Sequence, residues 1–326
     1  MRNAVLTFAM ATASALAICL YNVIQIRADD DAARSSARVQ ELLRQAREAL
    51  GGETALEGVR TLSASARYYR PTRYVLVSYK KIEEKEKKLS GKMEFDYIAP
   101  DRFRRKESGE TLREFSYSFV EIINGREAWR DPPAPPPTRS DGRIVNVEDV
   151  AEAEQQRAQS LQLQFTYYLL AWFGRTSPSY PVEISYEGKT EVAGQRTEAI
   201  FVSGRKGLSF FFLFDQQTHL PLMASTTFVD PLNVPVLFQP VPFSRQMNRE
   251  ILAAARREAA ARRRKPQRVE MRVLFADYRR VNGLLLPHHM TTTFNHQVFE
   301  EVEIREYKIN REIGLKKFED KRNERP

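Results

Sequence analysis

The stretch ADYRRVNGLLLPHHMTTTFN, Ala276 to Asn295, decides the fold. Asn282-Gly283 is a dipeptide that two-residue hairpins prefer, because both central positions need positive φ. Charged and polar residues precede this turn; three leucines, Pro287 and a run of threonines follow it. The expectation is two antiparallel strands. His288 and His289 raise the question of a catalytic or metal-binding hairpin. Adjacent strand residues point to opposite faces, so this pair cannot readily share one ion. His296 could meet His288 only across a further hairpin, for which the sequence gives no support, and His219 is remote in sequence. The stretch therefore reads as one rib of a β scaffold with an apolar side, and no metal is expected.

The same period of two continues outward. Leu62, Ala64, Ala66 and Tyr68 alternate with polar residues. Leu89, Gly91, Met93, Phe95 and Tyr97 share a face opposite Ser90, Lys92, Glu94 and Asp96. This is antiparallel sheet with one apolar and one wet face. Tyr74–Ile82 and Leu89–Tyr97 are expected to pair around a charged turn, EEKEKK. Strands follow near Phe103–Lys106 and Ser116–Ile123, and Asn124-Gly125 turns the chain toward Trp129. A second block is expected at Val182–Tyr186, Thr190–Val192, Arg196–Ser203, Ser209–Phe214, Leu222–Phe228, Val269–Tyr278, Leu285–Phe294 and Val298–Lys308.

Helical spacing interrupts this pattern. Val39, Leu42, Leu43, Ala46 and Leu50 form one stripe over Ala33–Leu50, and Gly51-Gly52 ends it. Thr54–Val59 is a second short piece. Asn146–Phe173 is a long one, and its end, LQLQFTYYLLAWF, must be buried or lie on lipid. Pro132–Gly142 is a proline-rich loop. Pro231–Arg268 is an insert: apolar PLNVPVLFQPVPF, then a helix-like basic run. Arg249–Arg268 holds 8 basic residues against 2 acidic ones, so most of the chain's net charge of +9 sits there. The run from Ser244 to Arg268 lacks aromatic residues, which disfavours nucleic acid. An anionic membrane surface or an envelope protein suits it better, with Val236, Leu237, Phe238, Arg256, Arg257, Arg262, Arg263 and Arg264 as contacts.

Arg2 and the apolar run Ala4–Ile26 make residues 1–32 an export signal. The run is longer than a usual signal core, so cleavage and retention as an inner-membrane anchor both stay open. Either way the bulk of the chain is expected in the periplasm or cell envelope. The lone Cys19 excludes an internal disulfide or a cysteine-based zinc site. Hydrophobic content of 42% and charged content of 29% fit a folded domain, read as 33–318 with a charged tail, 319–326. The sequence holds no G-x-S-x-G, H-E-x-x-H, G-x-G-x-x-G or P-loop. Glu83-Glu84 and Glu300-Glu301 read as solvated pairs rather than an acid–base dyad. No catalytic residue and no cofactor are expected.

Four segments carry a resemblance. Pro100 and Phe103 in YIAPDRFRRKES match a Pro-x-x-Phe-Arg-type element; VEIINGREAWRD resembles a strand that turns at Asn-Gly and reaches a Trp; LGGETALEGVRTLSASARY and DYRRVNGLLLPHHMTTTFN flank the whole. Together they resemble the lipoprotein-carrier family typified by LolA and LolB and its lipoprotein-sorting relatives, over roughly Val39–Phe318 without the insert. The resemblance implies an α+β fold, an open antiparallel half-barrel covered by helices. It implies non-catalytic binding of a lipid or lipidated protein on the concave face. Met93, Phe95, Val273, Phe275 and Phe294 are then the expected concave-face residues, with Trp129 and Trp172 closing the cavity. Relatives of this fold also act as sensors that bind proteins, so the insert leaves a second expectation open: an anchored sensor or scaffold.

Overall fold

The computed structural model describes residues 34–77, 82–111, 114–132, 147–204, 209–230 and 267–319. Three α-helices occur among them: α1 (34–50), α2 (Glu53–Glu57) and α3 (Val147–Phe173). The strands of the first half are β1 (Thr61–Val77), β2 (Ile82–Ile98), β3 (Arg102–Glu110), β4 (Ser116–Asn124) and β5 (Glu127–Asp131). After α3 come β6 (Val182–Val192), β7 (Gln195–Gly204), β8 (Ser209–Asp215), β9 (Pro221–Asp230), β10 (Gln267–Val281), β11 (Leu284–Phe294) and β12 (Gln297–Ile309). All twelve form one antiparallel sheet in the order β5-β4-β3-β2-β1-β12-β11-β10-β9-β8-β7-β6. The sheet is open: β5 and β6 are its two edges, and they do not pair with each other. This is the expected open half-barrel, with helices on its inner face.

The opening hairpin forms as its turn chemistry demands. Asn282 and Gly283 both have positive φ (47° and 89°), and Val281 faces Leu284. Pro287 lies inside β11, where a missing N–H would break a ladder. The paired register with β12 starts only at His289, and the Tyr307 hydroxyl donates to the Pro287 carbonyl at 2.6 Å. The turn also receives the end of α1: a Cβ on Gly51 (φ 138°) would come within 2.8 Å of the Gly283 oxygen. At its other end α1 is tied to the sheet edge. Arg38 Nη2 donates to Glu198 Oε1 at 2.7 Å, and the Tyr186 amide donates to Ser35 Oγ at 3.0 Å.

Alternation puts Leu62, Ala64, Ala66 and Tyr68 of β1 inside, opposite Tyr97, Phe95, Met93 and Gly91 of β2. Small residues face large ones, so the two rows interlock. The main core joins this face to α1 and to the last turns of α3, where Phe165 to Phe173 are buried without a break. Trp172 stacks on Tyr168 (centroids 5.1 Å) and meets Phe95 edge-on at 5.9 Å.

Several boundaries differ from expectation. EEKEKK is strand, not turn: β1 and β2 pair continuously to Val77↔Ile82, and Thr72 faces Lys87. Alternating Glu and Lys tolerate this because Glu86 and Lys88 lie exposed and Lys88 reaches Glu301 at 3.4 Å. The two pieces expected at Val182–Tyr186 and Thr190–Val192 are one strand with a register shift between Tyr186 and Gly188. Gln267 and Arg268 belong to β10, so the insert proper is 231–266, outside the described residues. The insert contacts expected at Val236–Phe238 and Arg256–Arg264, the N-terminal run and most of the proline-rich loop lie there too.

Asp230 and Gln267 face each other in register, so the insert is added to a complete β9–β10 hairpin. Replacing residues 231–266 by Asn-Gly is expected to preserve cooperative unfolding and to keep or raise Tm. Shortening a closed loop relieves about 0.6 kcal/mol per halving. A fall of more than about 4 °C in calorimetry would show that the insert is part of the core.

Candidate binding site

Chain order and sheet order together define the site. β5 and β6 are consecutive in the chain yet occupy opposite edges of the sheet, so α3 must cross the inner face between them. Its C-terminal half is core. Its earlier part, from Glu154 to Ser160, is exposed or half-buried and lies along the seam where the two edges approach. A cavity of about 320 Å³ opens there. Gln155, Ala158, Gln159, Gln162 and Thr166 form one wall, all on one face of α3 by their spacing. Tyr180, Pro181, Val182 and Gly204 form the other, with Arg126 from the β4–β5 turn. The volume is at the small end of ligand pockets, roughly 300–1,000 Å³. The walls mix aliphatic surface with amides and hydroxyls, which suits an amphiphile.

The loop after α3 is pinned, which fixes the second wall. Arg175 Nη2 donates to the Tyr97 hydroxyl at 2.8 Å, and Ser179 Oγ donates to Asp101.

A second feature lies on the inner face of β3 and β4. Phe103 faces Ile123, then Arg105 faces Glu121, Glu107 faces Phe119 and Gly109 faces Tyr117. The apolar row therefore turns charged along the strand. Arg70 forms two parallel bonds to Glu107, at 2.7 and 2.8 Å, and a third from Nε to Glu300 at 2.7 Å. Tyr117 donates to Glu107 at 2.8 Å and bonds to the Tyr68 hydroxyl. Tyr68 lies flat over Gly91 and Gly109, where any Cβ would collide with it. Burial pushes the Glu107 carboxyl up, but the bonds and charge of Arg70 hold it below the usual carboxylate range. Burial pushes the Tyr168 hydroxyl up to about 12. Beside this cluster Arg105 Nη2 lies 2.7 Å from Glu121 Oε2, both side chains nearly buried. The Arg130 guanidinium stacks 3.7 Å from the Phe119 ring centre. Glu300, expected to be solvated, is buried by its bond to Arg70.

The expected site residues fall in three places. Met93, Phe95, Trp172, Val273 and Phe275 meet in the main core, where α3 covers the sheet. Phe294 lies at the rim, with Phe228 at 6.1 Å and Phe299 at 4.9 Å, and these two partners are exposed. Trp129 is on the outer face, which corrects its placement in the cavity. It faces Ile122, and β5 alternation turns Ala128 and Arg130 inward instead; Trp129 packs with Ile313 and Phe318. His288 is buried against Tyr307 (5.1 Å), while His289 contacts Thr291 on the opposite face. Among the described residues no three His, Cys, Asp or Glu gather as metal ligands, and no helix is long and apolar enough to cross a membrane. The seam residues and the charged row escaped the sequence reading. Their signals were the glutamines of EQQRAQSLQLQ and the inward parity of Arg105, Glu107 and Glu121.

Neither a family profile nor a curated protein matches the chain. It is similar to solved structures. One is an outer membrane lipoprotein-sorting protein domain from Vibrio parahaemolyticus, at 11% identity and TM-score 0.45 over 86% of this chain and 97% of that one. Another is a LolA superfamily protein from Nitrosomonas europaea, at 8% identity and TM-score 0.43 over 86% and 97%. A third is the MucA/MucB complex of Pseudomonas aeruginosa, at 10% identity and TM-score 0.18 over 82% and 92%. The fold described above stands on its own strand order and register.

The charged row generates a prediction. Arg70→Met leaves Glu107 and Glu300 buried and unpaired, and denaturant unfolding at pH 7 is expected to show a loss of about 3–5 kcal/mol. In the wild type the folded Glu107 carboxyl titrates below its ordinary 4.5, so its contribution is present above that pH and is lost as pH falls through the folded value. The variant should instead gain stability as pH drops from 7 toward 5, because without Arg70 burial raises the Glu107 carboxyl and it protonates. Equal pH profiles for the two proteins would refute this role.

Proposed function

We propose that this protein is a non-catalytic binding protein of the cell envelope. Its ligand is an acyl chain of a lipid or lipidated protein, held at the seam between α3 and the sheet edges. The observation that carries the reading is the cavity between the Gln155–Thr166 face of α3 and Tyr180–Val182, at the one place where a twelve-stranded sheet is left unclosed. A closed barrel or a completed edge would leave no such entrance. The core beneath is filled by Trp172, Tyr167 and Tyr168, so Met93, Phe95, Val273 and Phe275 serve in this reading as the floor that holds α3. The apolar run at residues 4–26 supports export.

A second reading is an anchored scaffold that binds a protein through the insert. It is favoured by the exposed aromatic residues Phe228 and Phe299, which flank Phe294 at the rim where the insert leaves the sheet. Deleting 231–266 discriminates, because a seam binder keeps its acyl ligand.

Lipid extracted from the purified protein and analysed by mass spectrometry is expected to contain acyl chains in near-stoichiometric amount. Ala158→Trp fills the cavity and is expected to abolish displacement of a fluorescent fatty acid while Tm stays within about 4 °C of wild type. Undiminished binding by a folded Ala158→Trp protein would move the ligand elsewhere.

A further inference from the structure

The two ion clusters on the inner face differ in balance. Around Arg70 the hydrogen bonds are closed: two carboxylates, Glu107 and Glu300, share one guanidinium, and Tyr117 adds a neutral donor. Around Arg130 they are not. Arg105 is paired with Glu121 at 2.7 Å. Arg130 on edge strand β5 has Glu121 as its first counter-charge, while Arg157 of α3 and Arg105 press on it as like charges. Glu107 also faces Arg130 but is bound to Arg70, so over both clusters four guanidiniums (Arg70, Arg105, Arg130 and Arg157) stand against three carboxylates (Glu107, Glu121 and Glu300), a surplus of one positive charge. Among the described residues the Nε atoms of both Arg105 and Arg130 are buried and have no hydrogen-bond acceptor, and Glu121 Oε2 beside them is buried without a donor, so two donors and one acceptor are left unmatched.

A buried donor without an acceptor, beside uncancelled positive charge, costs the fold its desolvation with no return. The remedy is an anion. The Phe119 ring, 3.7 Å from the Arg130 guanidinium, fixes its plane and hence the direction of its N–H donors. A fixed fork of this kind fits a planar carboxylate or a phosphate.

We infer that Arg130 and Arg105, with Arg157 beside them on α3, form a binding site for a phosphate or carboxylate group. The site flanks α3 on its β5 side, opposite the cavity walled by Val182 and Gly204. It is independent of the acyl reading: the anion is the head of a bound amphiphile or a free ion.

Isothermal titration of the full chain with inorganic phosphate, palmitoyl lysophosphatidate and monopalmitoylglycerol tests this, with Arg130→Gln and Arg130→Lys alongside. Both phosphate probes are expected to bind wild type. Arg130→Gln should weaken each about tenfold or more, Arg130→Lys should retain part of the affinity, and monopalmitoylglycerol should not distinguish the three proteins. Without ligand, Arg130→Gln should leave Tm unchanged or raise it, since a like charge is removed; a merely structural arginine would lower it. Failure of both phosphate probes to bind, or equal binding to wild type and Arg130→Gln, overturns the anion site. Binding of monopalmitoylglycerol without any gain from phosphate overturns it while the acyl reading stands. Arginine-dependent phosphate binding with no binding of monopalmitoylglycerol upholds it while the acyl reading falls.

Discussion

β5 and β6 follow one another in the chain and lie at opposite edges of a twelve-stranded sheet. Nothing else in the fold constrains so much. The pairing of β1 with β12 brings the first and last strands together in the middle of the sheet, Leu62 against Ile309. Each half then runs outward or inward as a meander. The link between the halves has one short route, across the inner face. A helix of 27 residues spans about 40 Å, enough to cross it. α3 is therefore inside by topology before any contact energy is considered.

The divided character of α3 follows. Where it crosses the centre, every residue from Phe165 to Phe173 is buried, and its rings interlock with Phe95, Phe103 and Phe275. Such aromatic pairs add about 0.5–1.5 kcal/mol each beyond their area. Where it reaches the seam, one face meets the sheet edges and the rest is wet. Glutamines there can line a cavity without burying an unpaired charge. The helix thus combines a fixed end with a site-forming end, and this combination connects the sheet topology with binding.

Much of the fold was legible in the sequence, for a physical reason. Strands with one buried face show period two, and Ala64 against Phe95 or Val273 against Ala224 are the pairs that this period predicts. The Asn282-Gly283 turn and the Gly51-Gly52 stop were legible because φ constraints leave few residue choices. EEKEKK was misread because charge suggests a turn, whereas an exposed antiparallel ladder accepts Glu and Lys on its wet positions. Trp129 was misread because size suggests a cavity, whereas its neighbours Ala128 and Arg130 show the inward parity. The candidate site was less legible. Residues from α3, the loop at Tyr180 and the turn at Arg126 converge only in three dimensions, and a glutamine-rich helix face looks like ordinary surface until the seam is known.

We propose that the ligand lies between the N-terminal half of α3 and the β6 edge, over a filled core. The most direct measurement is the position of contact. Palmitate carrying a diazirine on its chain, photo-crosslinked to the purified protein and mapped by peptide mass spectrometry, is predicted to label residues 155–166 and 179–182. Labels confined to the rim at Phe228, Phe294 and Phe299, or to the outer face around Trp129, would contradict it.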